Sequence, residues 1–212
     1  MRVTVFGASG AIGRLVVQQL LDDGHEVTAL VRTPAKLALT HTRLTVVSGQ
    51  LSDRDAVDKA LSGADAVISA LGPSLERSTT GTQVTDGTRT VVQAMEKQQI
   101  TRFIGLATPS IADPLDKPHW KHKVLPVMAG LMFPNALDEM KGMTAAVTDS
   151  GLDYTIARIT KPTDKPATGH IRSGFLGHDK VGSAMTRADI AAFLISQLTD
   201  TRYRRAMPAV SN

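Results

Sequence analysis

The sequence contains no cysteine among its 212 residues. Disulfide bonds and thiolate metal ligands are therefore excluded, and the composition suits a reducing compartment. No stretch approaches the roughly 18 consecutive apolar residues of a membrane-spanning helix, and the apolar run at the N-terminus is too short for a signal peptide. We therefore expect a cytoplasmic protein with no membrane partner.

A strong excess of charge of either sign is also missing, because 24 Lys and Arg residues against 20 Asp and Glu residues give a net charge of +4. The basic residues are scattered rather than concentrated on one predicted helix face, so we expect no nucleic-acid partner. The weak positive field favours an anionic cofactor or a carboxylate-bearing substrate instead. With 42% hydrophobic residues, the chain is long enough for one substantial core but not for two full-sized domains. We expect one domain, residues 1–212, in a monomer or homodimer.

Three glycines, Gly7, Gly10 and Gly13, follow the apolar run Val3–Phe6 and open a segment of helical periodicity at Ala11. This predicts a strand, a tight turn and a helix whose first amides have no intrahelical partner and carry partial positive charge. The glycines would serve the turn, the close approach of a pyrophosphate and the packing of helix on strand, respectively. A merely flexible loop is the alternative. The predicted pyrophosphate site comprises Gly7, Ala8, Ser9, Gly10, Ala11, Ile12 and Gly13, with the Ser9 hydroxyl directed at a phosphate oxygen.

The type of dinucleotide depends on the residue that follows the second predicted strand, Glu26–Val31. Domains that bind the free ribose 2′-hydroxyl of NAD usually place an acid there, whereas domains that accept a 2′-phosphate place Arg nearby. This sequence has Arg32, Lys36 one turn later, and no acid between Val27 and Lys36. The pattern favours NADP(H) over NAD(H). Alternatively, Arg32 is a surface residue in a turn before Pro34.

Apolar runs alternate along the chain with segments of helical periodicity. Because the runs are apolar throughout, we expect an α/β, doubly wound fold with a mostly parallel sheet and helices on both faces. The predicted strands are Val3–Phe6, Glu26–Val31, Leu44–Ser48, Ala64–Ala70, Arg102–Ala107 and Asp153–Arg158. The predicted helices are one from Ala11, one capped by Ser52 that runs to Gly63, Gln83–Gln98, Asn135–Ser150, and Ile190–Leu198 capped by Thr186-Arg-Ala-Asp189.

Two segments interrupt the alternation. Residues 109–134 hold five prolines but are too apolar for disorder, and they predict a lid or pocket wall with a short helix. A packing element or a dimer contact is the alternative. Residues Lys161–Asp179 predict irregular structure. Since ligands bind outside the carboxyl ends of strands in such sheets, we expect segments of about 109–134 and 160–185 to form a small substrate lobe.

Together with Ala70-Leu-Gly72, Ser150-Gly-Leu-Asp-Tyr154 and Thr186-Arg-Ala-Asp189, the glycine turn and Arg32 resemble a known family. The sequence resembles the atypical short-chain dehydrogenases with NAD(P)-binding, NmrA-like domains, and most of all their biliverdin reductase B and flavin reductase branch. The resemblance covers nearly the whole chain and implies a Rossmann fold with strand order 3-2-1-4-5-6. It implies that Arg32 and Lys36 hold the 2′-phosphate. Further implied cofactor contacts are Gln50 and Leu51 at the adenine, Ala70, Leu71 and Gly72 at the ribose and pyrophosphate, and Ala107 and Thr108 at the nicotinamide ribose.

The sequence departs from that branch at several of its positions. Relatives usually have Asp at the position of Gln50, and the branch often has Ser at the position of Pro109. Two of its His residues correspond to Thr144 and Lys161. The cofactor motifs are therefore matched more closely than the substrate motifs.

The usual proton donor of short-chain dehydrogenases, a Tyr followed four residues later by Lys, is missing. Tyr154 is followed at that spacing by Arg158, and Tyr203 by Met207. Hydride transfer to a flavin or quinone needs less, because the acceptor delocalises the electrons and takes its proton from water. We therefore expect a reductase of a small planar acceptor. Its candidate substrate contacts are Thr108, Ser110, Lys141 and Lys161, and its candidate pocket lining is Trp120, Met128, Met132 and Phe133.

Two other functions stay open. A redox-sensing regulator would bind NADP(H) without turnover, as members of the NmrA-like group do. An epimerase or dehydratase is weakened by the missing Tyr and Lys pair.

A metal site is not expected. His119 and His122 form His-x-x-His, but zinc needs a third ligand and preferably helical context, and neither is visible. Asp138 and Glu139, beside Lys141, are interpreted as helix-surface charges, with catalysis as the alternative.

Overall fold

A computed structural model of the chain describes residues 1–76, 80–117 and 120–212, without the side chains of residues 120–125. The strands are β1 (Arg2–Phe6), β2 (Glu26–Val31), β3 (Leu44–Ser48), β4 (Ala66–Ser69), β5 (Arg102–Ala107), β6 (Asp153–Ile159), β7 (Lys161–Thr163), β8 (Arg172–Gly174), β9 (Ala184–Thr186) and β10 (Ala209–Ser211). The helices are α1 (Ala11–Asp22), α2 (Arg54–Leu61), α3 (Gln83–Lys97), α4 (Trp120–Met132), α5 (Pro134–Thr148) and α6 (Arg187–Ser196). A short 3-10 turn, Pro34–Lys36, follows β2.

The described residues form one large sheet with the strand order β3-β2-β1-β4-β5-β6-β10-β8. Strands β1 to β6 and β10 run parallel, and only β8 at the edge is antiparallel to its neighbour. The order of the first six strands confirms the predicted doubly wound α/β fold. A change of direction between β1 and β4 places the carboxyl ends of these two strands beside each other, where such folds bind ligands.

Helices cover both faces of the sheet, as the apolar strands predict. On one face α1 and α6 bury Val16, Leu20, Ile190 and Leu194, and on the other α2, α3 and α5 bury Val57, Met95 and Met143. The strand β1 serves both layers, since Val5 belongs to the first cluster and Phe6 to the second. None of the helices formed by the described residues has both the length and the apolar character that crossing a bilayer requires.

Several local predictions need correction. The segment Lys161–Asp179 is not wholly irregular, because β7 pairs with β9 in a small parallel sheet and β8 pairs with β10. The cap of α2 is Asp53 rather than Ser52, and its carboxylate accepts a hydrogen bond of 3.0 Å from the Ala56 amide. The short helix expected within residues 109–134 has 13 residues. It includes Pro126.

The start of α6 confirms the predicted cap and adds a tertiary role to it. Thr186 Oγ1 accepts from the Asp189 amide at 3.1 Å and donates to the Asp189 carboxylate at 2.7 Å. That carboxylate, which is 2% exposed, also accepts from the amides of Thr168 and Gly169 and from the Asn212 side chain. Burial alone raises the pKa of Asp189, but these hydrogen bonds outweigh it and lower the pKa to about 2.

The low pKa of Asp189 makes the stability of the fold depend on pH in acid, and we predict that Asp189→Asn removes most of this dependence. The ordinary pKa of 3.8 falls to about 2 on folding, so the ionised group stabilises the fold above pH 3.8 by about 2 kcal/mol, a contribution lost as the pH falls toward 2. Urea unfolding at pH 7 and at intervals down to pH 2 should show a less stable variant at pH 7 whose curve approaches that of the wild type in acid. Asp138→Asn, which changes a side chain that is 76% exposed, is the control, and its stability should follow that of the wild type at every pH. Parallel curves for the wild type and Asp189→Asn would contradict the prediction.

Candidate active site

The predicted pyrophosphate turn joins β1 to α1 and is packed against the end of β4. Gly7 has a φ of +74°, a left-handed conformation, and a Cβ on it would lie 2.8 Å from the Ala70 carbonyl carbon and oxygen. A Cβ on Gly13 would lie 2.1 Å from the Gly7 oxygen. Both positions therefore require glycine because backbone approaches backbone.

The first turn of α1 is open toward solvent. Gly10 is the N-cap residue, and within the described part of the chain no side chain accepts a hydrogen bond from the first amides. Gly10 and Ala11 are exposed, Gly7, Ser9 and Ile12 are half-buried, and Ala8 and Gly13 are buried. Unpaired amides at the positive end of a helix suit a pyrophosphate, and residues 10–12 offer the accessible backbone.

Two more strand ends border this turn. Phe6 pairs with Ser69 in the sheet, and the Ala70 amide donates to the Phe6 carbonyl at 2.9 Å. Ala70 and Leu71 are half-buried, and Gly72 is exposed; beyond its two chain neighbours, no atom of the described residues lies within 4 Å of a Cβ built on it. Backbone at the end of β4 is thus accessible to solvent beside the glycine turn, as a bound nucleotide would require.

The predicted adenine and 2′-phosphate residues follow β2 and β3 at the same edge. Arg32 comes directly after β2, Lys36 ends the 3-10 turn, and both are exposed. No ion pair joins either cation to another described residue. Gln50 is exposed and Leu51 is half-buried. Leu51 packs closely on α3, since a Cβ added to Gly87 would lie 2.6 Å from the Cβ of Leu51.

The predicted substrate contacts are only partly brought together. Ala107 is buried at the end of β5, and beyond it the hydroxyls of Thr108 and Ser110 lie 2.5 Å apart. Lys161 follows β6, the neighbour of β5, and is exposed. Lys141 instead lies on α5, where its ammonium is 3.5 Å from the Asp138 carboxylate and its side chain is 57% exposed. Of the four predicted substrate contacts, Thr108 and Ser110 are therefore the two that the structure brings into hydrogen-bonding distance of each other.

The predicted lid is a helix with an apolar surface. Val127, Met128, Leu131 and Met132 of α4 are exposed, and Phe133 is half-buried. The side chain of Trp120 lies outside the described residues, as do His119 and the side chain of His122. The pocket lining and the expected absence of a metal site at His-x-x-His therefore stay predictions.

Glu139 corrects the interpretation of its neighbourhood as helix-surface charge. It is 5% exposed, and its carboxylate accepts from the amides of Val84 and Thr85 at 3.1 and 2.7 Å. These are first-turn amides of α3, for which the N-cap residue Thr82 supplies no side-chain hydrogen bond. Glu139 therefore caps α3 from α5, a role that no local pattern indicates.

An ion pair between Arg158 and Asp116, in the loop that carries Thr108 and Ser110, was also missed by the sequence interpretation. Arg158 in β6 is fully buried, and its guanidinium donates to both carboxylate oxygens of Asp116 at 2.5 and 2.7 Å. Burial alone raises the pKa of Asp116, but hydrogen bonds from Arg158 and from the amides of Asp113 and Leu176 lower it below its ordinary value. In sequence, Arg158 stood out only as the residue that replaces the expected Lys.

An open polar cavity of about 260 Å³ lies at the end of the sheet opposite the glycine turn. Its lining residues include Arg2, Thr28, Arg43 and Thr45. Its two arginines already have partners, since Arg2 pairs with Asp65 and Arg43 donates to the Leu21 carbonyl. The cavity lies at the amino ends of the strands. Parallel sheets bind nucleotides at the other end, where the glycine turn is.

A family profile described as NAD(P)H-binding matches residues 7–201, and the chain belongs to this family. Its strand order and glycine turn are those of a Rossmann fold. Among solved structures, ChuY, an anaerobillin reductase from Escherichia coli O157:H7, has a TM-score of 0.80 at 22% identity, covering 100% of this chain and 97% of that one. A short-chain dehydrogenase/reductase from Veillonella parvula DSM 2008 in complex with NADP has a TM-score of 0.75 at 20% identity, covering 100% and 94%. At these identities the two structures show a shared fold.

Among curated relatives, the photosystem II assembly factor Ycf39 of Synechocystis sp. is 37% identical over 106 residues. The match covers 49% of this chain and 32% of that protein. This chain therefore spans about a third of the length of that relative.

We predict that Gly72→Ala weakens cofactor binding without weakening the fold. The added methyl meets no atom within 4 Å among the described residues other than its chain neighbours, so the free energy of unfolding should change by less than about 0.5 kcal/mol. If a nucleotide lies against Gly72, the methyl displaces it, and calorimetry should show a loss of NADPH affinity of about tenfold or more. Gly151→Ala, which also meets open space but follows α5, is the matched control and should bind normally. Equal affinities for the two variants would place the nucleotide elsewhere.

Proposed function

We propose that the protein is an NADPH-dependent reductase that transfers hydride to a flavin, a quinone or a similar planar acceptor. The carrying observation is the open, uncapped start of α1 between the ends of β1 and β4, which suits a dinucleotide pyrophosphate. Gly7 to Gly13 would hold the pyrophosphate, Ala70 to Gly72 the adjoining ribose, and Ala107 with Thr108 the nicotinamide ribose. When bound, the nicotinamide supplies the hydride.

The preference for NADPH rests on two exposed cations at one edge. The only charged side chains in residues 27–36 are those of Arg32 and Lys36. They make no ion pair with another described residue. A guanidinium binds a phosphate through charge-assisted hydrogen bonds, whereas the 2′-hydroxyl of NADH offers a much weaker partner. Both cations are therefore assigned to the 2′-phosphate.

The choice of a planar acceptor follows from the lack of a suitable proton donor near the nicotinamide. Tyr154 lies at the amino end of β6, paired with Phe103, and therefore at the other end of the sheet. Burial also raises the pKa of its phenol, which the charge of Arg205 offsets only in part. Arg158 cannot take the place of the missing Lys, since its guanidinium is engaged by Asp116. The nearby Thr108 and Ser110 hydroxyls suit orientation of an acceptor that delocalises charge and is protonated by water. An epimerase or dehydratase would need the absent donor.

The similar fold of ChuY, described as an anaerobillin reductase, supports reductase chemistry on this scaffold. The acceptor of the present chain is a separate proposal, as are its cytoplasmic location, the absence of a nucleic-acid partner and its monomeric or homodimeric state. Turnover tests the reductase directly: the purified protein should oxidise NADPH in the presence of FMN, riboflavin or a panel of quinones. Failure with all of them would refute the reductase proposal.

A redox-sensing regulator is the second candidate, and one specific observation favours it. The exposed side of α4 presents Val127, Met128, Leu131 and Met132 to solvent, an apolar surface suited to a protein partner. The similarity to Ycf39, described as an assembly factor, is in keeping with such a role. Tight binding of both NADP⁺ and NADPH without turnover of any acceptor would favour the regulator.

We predict that Arg32→Ala lowers the affinity for NADPH by about 10- to 100-fold, the loss of a charge-assisted contact worth about 1.5–3 kcal/mol. The affinity for NADH should change less than about twofold, because that ligand lacks the 2′-phosphate. Titration calorimetry at fixed ionic strength measures both. Arg202→Ala, which removes an exposed arginine stacked on Tyr203, controls for the change in net charge and should leave both affinities unaltered. An equal loss for both nucleotides would contradict the assignment of Arg32.

A further inference from the structure

Arg158 is a fully buried arginine whose guanidinium donates four hydrogen bonds to other segments of the chain. Beyond the two bonds to Asp116, Nε donates to the Met207 carbonyl at 2.6 Å and Nη1 to the Ile111 carbonyl at 3.0 Å. One guanidinium thus joins β6 to the loop after β5 and to the segment that enters β10.

The partner carboxylate extends the connection into a third segment. Asp116 accepts from the amide of Asp113 at 3.0 Å and from the amide of Leu176 at 2.8 Å. The Lys117 amide donates back to the Leu176 carbonyl at 2.9 Å. The two segments expected to form a substrate lobe, about 109–134 and 160–185, therefore meet at Asp116.

Arg158 is also bonded to both sides of the segment that carries the proposed acceptor site. In the sheet Arg158 pairs with Ala107, the residue that precedes Thr108. The loop that Arg158 and Asp116 hold begins at Thr108, includes Ser110, and is fixed at Ile111 and Asp116. Both ends of the short segment that carries the two hydroxyls are thereby anchored.

A buried ion pair is an unusual means of anchoring a loop, since well-packed apolar side chains often stabilise a protein as much or more. What the pair offers instead is direction, because the planar guanidinium fixes two parallel hydrogen bonds to the carboxylate. A loop held in this way has one position relative to β6. A hydride acceptor needs such precision, because small displacements of reacting groups cost large factors in rate.

We infer that Arg158 and Asp116 are positioning residues for the acceptor site, which fix the Thr108–Lys117 loop against β6 and against the turn at Leu176. The inference rests on the proposed reductase function and deepens it. Neither residue contacts the substrate. Their loss loosens the acceptor side of the site and leaves the pyrophosphate side, built on β1, α1 and β4, as it is.

The test compares Asp116→Asn and Arg158→Lys with Arg102→Lys. Asp116→Asn removes the charge at nearly constant volume, and Arg158→Lys keeps the charge without the paired geometry, so one variant keeps the test decisive if the other does not fold. Arg102 is the matched control, a 7% exposed arginine of the neighbouring strand whose guanidinium donates to the carbonyls of Gln197 and Asp153 at the opposite end of the sheet.

Three quantities are measured for each protein: hydrogen exchange of peptides covering residues 110–117 and 174–178, the Kd of NADPH, and the KM and kcat for the best planar acceptor. We expect both positioning variants to exchange about tenfold faster in these two peptides and to raise the acceptor KM about tenfold. Their Kd for NADPH should stay within about twofold of the wild type. Arg102→Lys should change neither the exchange of these peptides nor the acceptor KM.

Unchanged exchange in both peptides overturns the inference, and so does faster exchange with an unchanged acceptor KM. A KM rise that Arg102→Lys reproduces also overturns it, because general destabilisation would then suffice. A wild-type protein that oxidises no NADPH with any acceptor refutes the proposed function, and the acceptor role of the pair with it, whatever the exchange rates show.

Discussion

The structure depends on the contact of three stretches of backbone at the carboxyl edge of the sheet. The turn after β1 lies against the end of β4, and the first turn of α1 lies against the turn itself. A Cβ on Gly13 would lie 2.1 Å from the Gly7 oxygen, and one on Gly7 would lie 2.8 Å from the Ala70 carbonyl. These contacts hold the unpaired amides of α1 at the point where the strand order changes direction.

Buried polar side chains organise the connections around that edge. Glu139 supplies the acceptors that the start of α3 lacks. Asp189 accepts hydrogen bonds from Thr168, Gly169 and Asn212. Asp116 joins two loops to Arg158. Glu139 and Asp189 are buried and the side chain of Asp116 is 11% exposed. Each carboxylate is stabilised by several donors, as burial of a charge requires. The sheet thus supplies the shape of the site, and the carboxylates fix the loops that line it.

How far the sequence predicts this structure follows from the range of each interaction. Six strands and the glycine turn were predicted because an apolar run or a glycine spacing is a local signal. The order of the strands came from the resemblance to a known family and not from such a signal. The choice of Asp53 over Ser52 as the cap of α2 was not predicted. Both are short polar residues that can cap a helix, and only the path of the backbone decides between them. The strands β8 and β10, of three residues each, exist only because partners lie beside them.

Long-range pairs were beyond reach for the same reason. Glu139 caps a helix that begins more than 50 residues earlier, and Asp116 meets Arg158 across 42 positions. No periodicity or motif connects such residues, and an acid beside a lysine on a helix indicates a surface charge unless its partner is known. The candidate site divides in the same way, because its pyrophosphate half follows a local motif and its acceptor half depends on distant contacts.

The central claim is that the nucleotide binds at the carboxyl edge, on the amides that open α1. The most direct measurement is a titration of ¹⁵N-labelled protein with NADP⁺ followed by amide chemical shifts. The account predicts large shifts for Gly10, Ala11, Ile12 and Gly72, with Thr28 and Thr45 in the polar cavity at the other edge unaffected. Shifts concentrated at Thr28 and Thr45, with the start of α1 unchanged, would contradict it.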